Sequence, residues 1–144
     1  MSFVDPDRAA FAAFAKRDHD GPIHMLNLLR FRDRADYLEG EGREGERPAA
    51  SGADAYDAYA RASAPFFEAA GGTIAWSGRP LAGVIGPPEE RWDAGFLARY
   101  PSKDAFLSMV RDEGYQAIVF HRRAALADSR LHAFAEGEAG RVFG

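Results

Sequence analysis

An amide at position 27, a guanidinium at 99 and an imidazole at 132 are the side chains of this sequence best suited to shared chemistry. Brought together, Arg99 would supply charge, His132 would carry a proton and Asn27 would orient a carboxylate or enolate. Asn27 draws attention first, because it interrupts "PIHMLNLLRF" (residues 22–31), which otherwise reads as a buried strand. An amide taken out of water costs a few kcal/mol unless its hydrogen bonds are met, so it needs either a paired interior position or a wet cavity. The competing reading keeps all three residues structural, with Asn27 satisfied by backbone, Arg99 emerging at a strand end and His132 at a dimer edge. The sequence leaves both readings open.

Other groups are less specific. Trp76, Tyr37, Tyr59 and Trp92 could wall an aromatic pocket, although aromatic residues at helical or strand spacing more often belong to a core. Tyr37 and Trp76 join Asn27, Arg99 and His132 as candidate ligand-binding residues. Arg122 falls four residues after Ile118 on an apolar stripe, either as a buried anchor for carbonyls or carboxylates or as a snorkelling edge residue. His19, His24, His121 and His132 show no i,i+4 pairing and no acid at ligand spacing, so no metal site is expected. No GxSxG elbow, phosphate-cradling loop or dinucleotide fingerprint is present, and no cofactor is expected.

Composition narrows the function classes. A chain of 144 residues, 47% hydrophobic and 28% charged, fits one domain able to bury its own core. A net charge of −4 offers no basic footprint for nucleic acid or an anionic membrane. The absence of cysteine removes disulfides and thiolate chemistry and is compatible with a reducing compartment. With no basic-then-apolar leader and no long apolar run, a soluble cytoplasmic protein is expected.

The elements that must position these groups follow from periodicity and punctuation. Asp5 and Pro6 read as cap and first residue of a short helix carrying Phe11, Phe14 and Ala15, part of an N-terminal extension over residues 1–20. After the strand at 22–31, "RDRADYLEGEGREGERP" has six acids, four arginines and three glycines and almost nothing to bury. A surface loop is expected, with fast amide exchange from Glu39 to Arg47 and Tyr37 as a lid over a cavity mouth. From Gly52 to Ala70, Tyr56, Tyr59, Ser63, Phe66 and Phe67 share one stripe, and Gly71-Gly72 stops the helix. "TIAWSGRPLAGVIG" and "RWDAGFLARY" read as two strands of a hairpin, the first bent or bulged near Gly78 and Pro80. Ser102 then caps two helical stretches broken near Gly114, and "SRLHAFAEG" forms the last strand.

The order strand, helix, strand, strand, helix, strand is the ferredoxin-like βαββαβ unit: an α+β fold with a four-stranded antiparallel sheet and its helices on one face. In "HMLNLLRF" both strand faces are mostly apolar, and an uncovered apolar sheet face is rare in soluble monomers. A second copy packed sheet to sheet, a dimeric α/β barrel, is the economical cover. The segments "YDAYARASAPFFEAAGGTIAWSGRP" and "LARYPSKDAFLSMVRDEGYQAIVFHRRAALADSRLHAF" resemble the DUF1330 family of that superfamily, over roughly residues 22 to 136. The most specific elements are Gly71-Gly72, Tyr100-Pro101 and the stretch from Tyr115-Gln116 to Arg122; the resemblance departs at Ile85 and Arg99, where the family often places acids. It implies the fold and a homodimer, and no settled catalytic residues.

Period-two alternation groups Asn27 with Met25 and Leu29, and Leu26 with Leu28. Giving the leucines to the dry, helix-covered face places Asn27 toward the barrel cavity, where Arg99 and His132 would join it from neighbouring strands. The expected function is small-molecule binding without assigned chemistry. The alternative is a cofactor-free enzyme, a monooxygenase or isomerase acting on a small aromatic or lactone-like substrate.

Overall fold

The structure, a computed structural model, describes residues 2–41 and 49–142. Its elements run α1 (Arg8–Lys16), β1 (Ile23–Phe31), α2 (Gly52–Ala69), β2 (Thr73–Gly78), β3 (Ala94–Tyr100), α3 (Lys103–Arg111), α4 (Glu113–Ile118), α5 (Phe120–Ala125) and β4 (Leu126–Ala135). The strands form one antiparallel sheet in the order β2-β3-β1-β4. Behind α1, this is the expected ferredoxin-like arrangement, with α2 crossing from β1 to β2 and α3 to α5 leading from β3 back to β4.

Local chemistry sets the boundaries. Asp7 caps α1, its Oδ2 accepting the Ala10 amide at 2.9 Å, so the cap falls two residues after the expected Asp5. Ser51 and Ser102 cap α2 and α3 in the same way. Gly71 follows α2 at φ +77°, a left-handed conformation that favours glycine. The region after Ser102 holds three short helices rather than two. Its first break is Asp112, an extended residue whose Oδ1 accepts the amides of Gly114 and Tyr115. Gly114 lies inside α4, where a Cβ would meet the Phe66 ring at 2.6 Å, so this glycine permits close packing instead of ending a helix. β4 follows α5 directly from Leu126, three residues earlier than its sequence pattern indicated.

The expected long second strand stops at Gly78. Residues 79–93 make no ladder, and Leu81, Val84 and Ile85 project from them at 93%, 91% and 98% exposure. The irregularity in β2 lies between Ile74 and Trp76, upstream of Gly78 and Pro80. It puts Trp76 opposite Leu97 and Ser77 opposite Phe96.

The core lies between sheet and helices in two apolar clusters. One gathers Ile23, Met25, Ala98 and Tyr100 of the sheet with Phe106 and Leu107 of α3; the other gathers Leu29, Ala55, Ala125 and Leu126. Along β1 the buried residues are Ile23, Met25, Asn27 and Leu29, while His24, Leu26, Leu28 and Arg30 are half-buried. The face assignment drawn from sequence is therefore inverted. Asn27 points toward the helices, and Leu26 and Leu28 belong to the face that no helix covers. The described start of the expected surface loop is also more tied down than its composition implied. The Arg32 amide donates to the Ala125 carbonyl at 2.8 Å and the Asp36 amide to that of Ala124 at 2.9 Å. The glycine-rich centre, 42–48, lies outside the described residues, as does most of the stretch expected to exchange fast.

Candidate functional site

Strand register separates the residues that were expected to converge. Arg99 stands opposite His24 and His132 opposite Leu26, so both belong to the open face, whereas Asn27 stands opposite Phe96 on the inner one. Arg99 is engaged elsewhere: its Nε donates to Glu136 Oε2 at 2.5 Å, and His24 Nε2 meets the same oxygen at 2.9 Å. These two partners hold the Glu136 carboxyl down at about 2, Arg99 contributing most. His132 is exposed and borders only the β4 edge of the inner cavity. Trp76 is on the open face at 55% exposure. Tyr37 packs edge-on to Phe120 and His121, with its hydroxyl 2.7 Å from His121 Nδ1. It does not line the cavity, so neither the lid nor the three-strand cluster describes the site.

The inner face has a different arrangement. Between the sheet, α2, α3 and the N-terminal segment lies a cavity of ≈ 1160 Å³. Its floor carries Met25, Asn27, Phe96 and Ala98; α2 contributes Tyr56, Tyr59, Ser63 and Phe67; Phe11 and Phe14 of α1 close another side. The sequence builds these walls simply. Tyr56, Tyr59, Ser63 and Phe67 follow one another at three- and four-residue spacing and so share a helix face. Phe14 is held edge-on against Phe106 with ring centroids 6.0 Å apart, and Lys103 Nζ donates to the Ala15 carbonyl at 2.9 Å, fixing α1 over the core.

Polar groups are few. Asn27, 9% exposed, donates from Nδ2 to the Met25 carbonyl at 3.1 Å, which leaves Oδ1 and a second N–H directed at the cavity. The Tyr59 and Tyr115 hydroxyls pair at 2.7 Å. Burial first, and Tyr115 second, hold Tyr59 protonated well above the ordinary phenol range, and burial does the same to Tyr100. Tyr56 is pushed up to about 12 by burial, with the Arg122 guanidinium pulling it back. Among the described residues the Tyr56 hydroxyl has no hydrogen-bond partner. Arg122 donates from one terminal nitrogen to the Val4 carbonyl at 2.5 Å and, among the described residues, pairs with no carboxylate.

Tyr56 and Arg122 are the functional candidates that the sequence ranked too low. The available signals were a polar Ser63 within the Tyr56 stripe and a cation on the stripe of Ile118. Such an arrangement can solvate and orient an apolar molecule. It offers no nucleophile paired with a base, and among the described residues no three His, Asp or Glu gather as metal ligands.

A protein of unknown function from Rhodopseudomonas palustris shares 43% identity with this chain, covering 96% of it and 99% of that protein, with a TM-score of 0.86. The chain belongs to the same family. The methylated form of that protein matches equally well, at 44% identity over 97% and 98% of the two chains and a TM-score of 0.86. A dabb family protein with a ferredoxin-like fold from Mesorhizobium loti is more distant, at 11% identity, 83% and 100% coverage and a TM-score of 0.49, and adds nothing to what the strand order shows. No protein-family model and no curated protein matches.

Proposed function

We propose that this is a DUF1330-like, dimeric α/β-barrel protein that binds a small apolar molecule in the cavity between its sheet and helices. The observation that carries the reading is the cavity itself: ≈ 1160 Å³, walled mainly by aromatic and aliphatic side chains, with the Asn27 amide on its floor. Small-molecule sites have this character, concave and apolar with a few placed polar groups. The dimer is supported by the open sheet face, where Leu26, Leu28 and Leu97 are only half-buried and Phe134 is 50% exposed. Apolar surface of that extent calls for a cover, and a second copy of the same face supplies one.

Titration with N-phenyl-1-naphthylamine, a neutral fluorescent probe, tests the binding reading. The probe is expected to bind once per chain. Ser63→Phe, which projects a ring from α2 into the cavity, should reduce binding at least tenfold while the far-ultraviolet circular dichroism stays native. No binding by the wild type, or undiminished binding by a folded Ser63→Phe, would overturn it.

A further inference from the structure

Arg122 is a cation at a cavity wall with one backbone carbonyl as its partner. A guanidinium has five N–H donors, and one bond to Val4 leaves several of them without a protein acceptor. Among the described residues Arg99 pairs with Glu136, Arg123 with Glu41 and Arg130 with Asp128 and Glu90, whereas Arg122, like Arg32 and Lys103, bonds only backbone carbonyls; of these three, Arg122 is the one that borders the cavity. The acids that border the cavity, Asp5, Asp7 and Asp57, are exposed at its edge; none is an ion-pair partner of Arg122, and Asp7 is committed to capping α1. Across the same cavity wall, on α2, the Tyr56 hydroxyl is a second donor with no acceptor among the described residues, near enough to feel the guanidinium charge.

Two unspent donors, one charged, facing a volume otherwise lined by Phe11, Phe67, Phe96 and Met25, form an amphiphilic recognition pattern. Arg matches a carboxylate in a planar, bidentate geometry, and a phenol adds a third hydrogen bond to the same anion.

Resting on the binding reading above, we infer that the ligand is a monocarboxylic acid with an apolar body, its carboxylate held by Arg122 and the Tyr56 hydroxyl and its body lying along the aromatic wall toward Asn27. A neutral ligand of the same shape would leave the guanidinium facing the cavity uncompensated, so the site selects for the ionised acid.

Isothermal titration of the full chain at pH 7 with two matched pairs, 3-phenylpropanoate and 3-phenylpropanamide, and octanoate and octanamide, tests this directly. At least one acid is expected to bind ten times or more tightly than its amide. Arg122→Met should erase that preference while leaving the amide's affinity within about threefold, Arg122→Lys should keep part of it, and Tyr56→Phe should weaken the acid alone. Equal binding of acid and amide by the wild type would overturn the carboxylate assignment and leave the cavity reading standing. Failure of all four compounds to bind while N-phenyl-1-naphthylamine still binds would also overturn the carboxylate assignment alone; failure of that probe as well would remove the cavity reading, and the carboxylate with it. Should Arg122→Met unfold because the Val4 anchor is lost, the wild-type pairs and Tyr56→Phe still decide the question.

Discussion

Replacing Asn27 by leucine separates a cavity-lining amide from a core one. The change removes the bond from Nδ2 to the Met25 carbonyl, worth about 0.5–1.5 kcal/mol net. That carbonyl is not orphaned, because β1 pairs with β3 on one side and β4 on the other through residue 25. Among the described residues no other group bonds to the amide. Against the loss stands apolar surface placed beside Met25 and Phe96; full burial of a leucine contributes about 1.5–3 kcal/mol, and a side chain facing a cavity gains less than that. The two effects nearly cancel, so stability should change by no more than about 1 kcal/mol in either direction, or about 4 °C in a thermal melt. Tyr59→Phe provides a core control, since it strands the buried Tyr115 hydroxyl and should cost about 1–3 kcal/mol. Binding should respond differently. The wild type is expected to favour 1-naphthol over naphthalene by about two- to tenfold, the equivalent of one hydrogen bond, and Asn27→Leu should remove that preference. A loss of more than about 2 kcal/mol with the naphthol preference intact would refute the reasoning, because the amide would then be serving the fold and not the cavity.

Two further outcomes are expected on the open face. Glu136 is held at about 2 by Arg99 and His24, below the ordinary carboxyl value of 4.5, so its contribution to stability is present above pH 4.5 and lost as pH falls toward 2. Glu136→Gln should therefore be less stable than wild type at pH 6 and converge with it near pH 2 in paired melts; an equal difference at both pH values would contradict the ion-pair account. Leu97→Arg, in the middle of that face, should shift the protein to monomer in sedimentation equilibrium at micromolar concentration. A wild type that is already monomeric would end the dimer reading.

Element order was legible in the sequence because local signals agreed with one another: the Tyr56 to Phe67 stripe, the glycine stop at 71 and the serine cap at 102 all fall where the fold uses them. Asp112 was missed because a carboxylate that ends one helix and caps the next looks, in sequence, like any polar residue between two apolar runs. Asn27 was misplaced for a reason that bears on function. Alternation reports which residues share a face and is silent about which face is covered, so the choice rested on assuming that the helix-covered side is dry. The inner side instead carries a cavity lined by Asn27, Tyr56 and Arg122, which gives a polar residue there something to face. The inversion also sharpens the case for a second copy. With Asn27 turned inward, the uncovered side of β1 is left with Leu26 and Leu28, flanked by Leu97 on β3 and Phe134 on β4. The residue that looked anomalous in a buried strand thus lines the cavity inside one protomer, and the leucines beside it are the apolar surface that a partner would cover.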